Sequence, residues 1–116
     1  MTMETPKVVI LCKDLILKTK IKELLKTSSR PCEFLKKNFT DLISSPEEQL
    51  EIIADLELLS LEEITLLGER RVKTPATKLL GFCSHMEVEK IQHAKSCSFD
   101  FVIPRSKLET VIPDFV

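Results

Sequence analysis

A chain of 116 residues, 43% hydrophobic and 30% charged, is long enough for one packed domain, whereas two cores of half that length would each be marginal. A net charge of −1 and a pI near 6.1 exclude the electrostatic footprint of a nucleic-acid binder, and two glycines with no Trp or Tyr argue against an all-β fold crowded with tight turns. No apolar stretch nears the roughly 18 residues of a membrane span, and Met1 to Pro6 lacks the charged-then-apolar order of a signal peptide, so the cytoplasm is the expected compartment.

Lys7 to Cys12 is an apolar run that reads as a first strand, 7–12. Asp14 then caps a helix over 15–28, in which Leu17, Ile21, Leu24 and Leu25 make one apolar stripe. The loop around Arg30-Pro31 ends that helix, and a second strand follows over 32–36. Ser45 with Glu48 forms a capping box, and Pro46 fills the favoured first helical position, which predicts a short helix over 46–50. The run closing in Ile52-Ile53-Ala54-Asp55 is a third strand, 51–55. A second box, Ser60 and Glu63, opens a helix over 61–72 that Thr74-Pro75 breaks before a fourth strand, 78–83. Ser84 and Glu87 open a helix over 85–96 with Met86, Val88, Ile91 and Ala94 on its inner face. After a fifth strand, 99–103, Ser106 and Glu109 open a last helix over 106–112. Pro113 ends it, leaving Ile112 and Phe115 available to a partner or a second copy.

The first, third and fourth strands are nearly continuous in apolar character, as parallel strands covered on both faces are. The intervening stretches suit right-handed crossovers. The expected architecture is α/β: a three-layer, doubly wound, five-stranded parallel sheet of flavodoxin-like order 2-1-3-4-5, one domain over 1–116. No repeat, linker or low-complexity segment interrupts it.

Such sheets place their chemistry at the carboxyl ends of the strands. Asp55 closes the third strand there, Leu11-Cys12-Lys13-Asp14 leaves the first, and Cys83-Ser84 leaves the fourth. Four cysteines (Cys12, Cys32, Cys83, Cys97) lack any C-x-x-C spacing, so no zinc site is expected, and they read as reduced, mostly buried small hydrophobes. His85 and His93, eight residues apart, do not make an i, i+4 metal pair and read as surface residues. Glu62-Glu63 and Glu69-Arg70-Arg71 read as solvated helix faces. With Gly68 and Gly81 alone there is no Gly-rich phosphate loop, so no cofactor is expected.

On the five strand-helix units, Asp55, Ser84, and the segments Gly81-Phe82-Cys83-Ser84-His85 and Ile103-Pro104-Arg105-Ser106, the chain resembles the receiver domain of bacterial response regulators (CheY-like) over essentially its whole length. The last two segments look like the divergent pseudo-receiver branch. The resemblance implies that Asp55 holds the phosphoacceptor position and Ser84 the hydroxyl position, or Cys83 if the register slips by one. The family's Mg²⁺-binding acidic pair falls on Cys12 and Lys13, and its phosphate-contacting lysine falls on Pro104. Two of four parts are missing, and phosphoryl transfer depends on such charges.

Lys13 would repel Mg²⁺, and Asp14 is more simply a helix cap. Arg105 has two readings, a cation that swings into the site or, more plainly, a solvated charge at the start of the last helix. Asp55 reads as an inherited carboxylate paired with Lys13, which would lower its pKa, with Lys13 in solvent as the alternative. Cys12 beside Lys13 would be an activated thiol in a redox reading and a core residue in the plainer one.

The resemblance thus points to a stand-alone atypical receiver acting in signal transduction by protein–protein interaction, without Mg²⁺-dependent phosphorylation and not an enzyme. Its expected partner is a sensor kinase or downstream regulator, not nucleic acid or membrane. The expected surface is Val88 to Thr110, the fourth helix, fifth strand and fifth helix, which also suits a homodimer. The alternatives are a phosphorelay receiver phosphorylated on Asp55, with Asp14 or Glu57 holding metal, and a thiol redox switch.

Overall fold

The structure, a computed structural model, describes residues 7–26, 32–34, 50–74 and 76–115. Strands β1 (Lys7–Leu11), β2 (Cys32–Phe34), β3 (Leu50–Asp55), β4 (Lys78–Cys83) and β5 (Phe101–Pro104) form one sheet in the order β2-β1-β3-β4-β5. Every pairing is parallel. The helices among the described residues are α1 (Leu15–Lys26), α2 (Leu61–Lys73), α3 (Val88–Ser96) and α4 (Leu108–Phe115), with 3-10 turns at Leu56–Leu58 and Arg105–Lys107.

Successive side chains of a strand face opposite sides, so each continuous apolar run feeds two cores. Val9, Leu11, Ile52, Ala54 and Leu79 pack with Ile64, Leu67 and Ala94 of α2 and α3. Val8, Ile10, Ile53, Leu80 and Phe82 pack on the other face with Ile21 and Leu25 of α1 and Leu108, Ile112 and Phe115 of α4. The expected three-layer, doubly wound architecture is therefore the observed one.

Both glycines serve close packing. A Cβ on Gly81 would stand 3.0 Å from the Leu56 side chain, and one on Gly68 would stand 2.1 Å from the Cys97 carbonyl oxygen. Only a residue without Cβ lets α2 approach the end of α3 so closely. Ion pairs tie the layers at their rims. Lys20 of α1 pairs with Glu109 of α4, and Arg71 of α2 grips Asp100 through Nε and Nη2, at 3.2 and 3.3 Å.

The Ser60–Glu63 capping box forms as expected, with both reciprocal bonds present, and Asp14 caps α1 by accepting from the amides of Ile16 and Leu17. The box at Ser84–Glu87 does not form. Ser84 instead closes a turn, its hydroxyl oxygen accepting from the Met86 amide and its carbonyl from the Glu87 amide, so α3 begins at Val88. Met86 and Val88 are consequently exposed rather than inward. The box at Ser106–Glu109 fails because Ser106 lies inside a 3-10 turn.

The last helix also departs from expectation. It starts at Leu108 and runs through Pro113 to Phe115. Burial of Ile112 and Phe115 outweighs the single backbone bond that a proline removes, and Phe115 meets the Phe101 ring edge-on at 5.8 Å. Those two side chains are core, not a free patch. Arg70 is buried and Arg71 is paired, so that part of α2 is no solvated face either. Leu50, expected as the end of a short helix, is the first residue of β3. The rest of that helix, 46–49, lies outside the described residues with Ser45, Arg30-Pro31, Pro75 and the ends of the predicted 15–28 and 32–36 elements. The side chain of Cys32 lies outside them too.

Candidate functional site: the carboxyl edge around Asp55

The strand register assembles the site. Leu11 lies opposite Ala54, Asp55 opposite Phe82, and Cys83 opposite Pro104, so the ends of β1, β3, β4 and β5 share one edge. Cys12 follows β1, Asp55 ends β3, Ser84 follows β4 and Arg105 follows β5. The structure therefore places Cys12, Asp55, Ser84 and Arg105 at this edge, although it does not pair them as expected.

Asp55 is 4% exposed, and its carboxylate is held from two sides. Oδ1 accepts from the Glu57 amide at 3.0 Å, which makes Asp55 the cap of the 3-10 turn that follows. Oδ2 faces the Arg105 guanidinium, with Nη2 at 3.5 Å. The same Nη2 lies 2.6 Å from Glu57 Oε2. Glu57 Oε1 accepts from the Ser84 amide at 3.3 Å, and the Glu57 carbonyl oxygen accepts from Lys90 Nζ at 3.2 Å. One guanidinium thus bridges two carboxylates, a second cation sits on the backbone between them, and Glu57 fastens the end of β4 to the turn after β3.

The expected Lys13–Asp55 pair is not formed among the described residues. Lys13 is exposed, and the cation that reaches Asp55 is Arg105, which the sequence favoured as a solvated charge. The reason is local: the 3-10 turn at Arg105–Lys107 directs residue 105 across the edge toward β3. The expected fall in the Asp55 pKa is also reversed. Burial pushes it up, outweighing the Glu57 amide and the cations Arg105 and Lys90 that pull it down.

Cys12 and Cys83 are buried, as the plainer reading had them. Burial raises the Cys12 thiol, outweighing its hydrogen bond to the Asp14 carbonyl and the weaker pull of Lys18, and burial pushes Cys83 up to about 11. Neither is activated in the manner the redox reading needs. His85 is exposed as expected, but His93 is not a bare surface residue: its Nε2 lies 2.7 Å from Thr65 Oγ1.

Nothing local in the sequence marks Lys90 as part of this edge. Its role comes from the position of α3 over the turn after β3. Glu57, expected only as an alternative metal ligand, meets Arg105 from 48 residues away, a pairing that no local sequence signal marks.

A hard divalent cation needs several free oxygen donors. Here Glu57 is engaged by Arg105 and Ser84, its carbonyl by Lys90, and Asp14 Oδ1 by the two amides of α1. Cys12 and Lys13 offer a thiol and a cation at the end of β1. This donor set does not fit Mg²⁺ or Ca²⁺.

No protein-family model matches the chain, and no curated protein matches it. Solved structures do. A response regulator from Thermotoga maritima shares 18% identity at a TM-score of 0.72, covering 97% of this chain and 98% of that one. A putative pilus assembly protein (cpaE) from Burkholderia thailandensis E264 shares 8% at 0.71, covering 95% and 97%. A response regulator protein from Burkholderia pseudomallei, with a phosphorylated aspartic acid, calcium ion and citrate, shares 12% at 0.72, covering 97% and 67%. Likeness at these identities is likeness of fold. With the observed strand order 2-1-3-4-5, it establishes that the chain has the CheY-like receiver fold of response regulators.

Proposed function

We propose that this chain is an atypical, cytoplasmic receiver-like signalling module that acts by binding another protein rather than by turning over a substrate. In this reading Asp55 holds the phosphoacceptor position, and internal cations stand where a working receiver would recruit a metal and a phosphoryl group. The observation that carries it is the Arg105 guanidinium, 2.6 Å from Glu57 and 3.5 Å from Asp55. A phosphoryl group on Asp55 would have to displace that guanidinium from Glu57 and would find no carboxylate at positions 12 and 13 to hold its metal.

The test is acetyl phosphate with Mg²⁺ at millimolar concentration, read by intact mass, alongside amide chemical shifts of residues 55–57 and 84 during a beryllofluoride titration. No mass gain and no saturable shift are expected. A stable phosphoryl adduct on Asp55 would instead establish the second reading, a phosphorelay receiver. That reading draws on the placement of Asp55 and Ser84 at adjacent strand ends and on a fold shared with a protein that carries a phosphorylated aspartic acid.

A further inference from the structure

Away from the Asp55 edge, a second group of reactive side chains meets between α2 and α3. Cys97 follows α3 and, unlike Cys12 and Cys83, is only half-buried. Its Sγ lies 4.0 Å from Thr65 Oγ1 of α2, and that hydroxyl lies 2.7 Å from His93 Nε2 of α3. Thiol, hydroxyl and imidazole stand in series. With Nε2 of His93 as acceptor, the Thr65 hydroxyl is placed to pass a proton between Cys97 Sγ and the imidazole. The Leu61 carbonyl, 3.0 Å from Thr65 Oγ1, is the alternative acceptor that holds the hydroxyl proton at rest.

A groove of about 250 Å³ opens beside the sulfur, lined by Thr65, Glu69, Val72 and Lys73 of α2 together with Cys97. Val72 is 64% exposed, a bare apolar wall. Glu69 and Lys73 lie one helical turn apart, so the rim presents an anion and a cation on one side. An apolar wall flanked by opposite charges matches a small zwitterionic peptide, whose carboxylate meets Lys73 and whose ammonium meets Glu69.

We propose that Cys97 is a thiol–disulfide exchange site for the disulfide of a small zwitterionic peptide thiol. The Cys97 thiolate attacks one sulfur of the incoming disulfide. A new S–S bond forms at Cys97 as the old one breaks, and the departing thiolate takes up the proton relayed from His93. The incoming disulfide is the oxidant, and the products are a mixed disulfide on Cys97 and one molecule of free thiol.

Glutathione disulfide and the uncharged hydroxyethyl disulfide are the probes, with adduct formation on the full chain followed by intact mass and peptide mapping. Glutathionylation is expected at Cys97 well ahead of Cys12 and Cys83. Thr65→Val, with unchanged circular dichroism, should slow it at least about a hundredfold, the low end for loss of a proton-transfer partner, while Thr65→Ser should retain the native rate. Lys73→Met should slow glutathione disulfide and leave hydroxyethyl disulfide unaffected. Modification of Cys97 no faster than that of Cys12 or Cys83, or a native rate in Thr65→Val, would overturn the site. Equal response of both probes to Lys73→Met would overturn the zwitterionic ligand.

Discussion

Replacing Arg105 with Met removes the only cation hydrogen-bonded to both carboxylates of the edge among the described residues, while keeping much of the side-chain volume. Two losses follow. The Arg105–Glu57 pair is about one-third exposed on each side and is worth about 0.5–1 kcal/mol, the upper part of the range for accessible pairs. Asp55, whose side chain is 5% exposed, loses a charged partner, and a buried acceptor stripped of its donor costs about 1–3 kcal/mol. Its bond to the Glu57 amide persists, so the low end applies, and the total comes to about 2 kcal/mol at pH 7.

The pH dependence has a definite sign. Burial already raises the Asp55 pKa above its unfolded value, and losing Arg105, one of the influences that lowers it, raises it further. A carboxyl with a raised folded-state pKa contributes stability that is present below its unfolded pKa and lost as pH rises through the folded one. The deficit of Arg105→Met should therefore be full at pH 7 and shrink as pH falls through the carboxylate range. Urea unfolding followed by far-UV circular dichroism at neutral and acidic pH measures it. A double-mutant cycle with Asp55→Asn, whose neutral amide oxygen can still accept from Glu57, should return a coupling of about 1 kcal/mol. A deficit below about 0.5 kcal/mol at pH 7, or one of equal size in the Asp55→Asn background, would refute the internal-cation account.

Two further outcomes concern the α2–α3 junction. Gly68→Ala places a methyl 2.1 Å from the Cys97 carbonyl, so helix and loop must separate by about 1 Å, and overpacking of that kind should cost about 3 kcal/mol, read as a lower urea midpoint. An unchanged midpoint would mean that the two elements are not held in this contact. Ser98, just beyond the end of α3, has φ of 66°, a left-handed conformation that favours glycine, so Ser98→Gly should raise stability by about 0.5–1 kcal/mol. A loss of stability there would refute the strain argument.

The fold was legible because its signals are local and redundant. Short continuous apolar runs at Lys7–Leu11, Leu50–Asp55 and Lys78–Cys83, rich in branched residues, read as strands covered on both faces, and the Ser60–Glu63 box marks a helix start by backbone chemistry alone. The same rule failed at Ser84 and Ser106 because tertiary neighbours competed for the backbone there. The Ser84 amide is bonded to Glu57, 27 residues away, and the turn at Arg105–Lys107 carries its first side chain back to β3. The burial of Ile112 and Phe115 was equally hidden, since Pro113 reads locally as a helix stop. At the edge itself, the sequence located the participants but not the pairing. Lys13 is adjacent to Cys12 in the chain, yet partnership depends on which side chain the loop geometry turns inward, and that was Arg105, 50 residues from Asp55.

The charge arrangement at that edge also decides how its loops are held together. The turn after β3 and the residue after β5 face each other across the end of β4. Here Arg105 already spans that distance, Glu57 already holds the Ser84 amide, and Lys90 already anchors α3 to the turn after β3. These three contacts joining the loops are made by the chain's own side chains. Because one residue, Glu57, participates in all three through its two carboxylate oxygens and its carbonyl, the edge has a single point at which the loops come apart together.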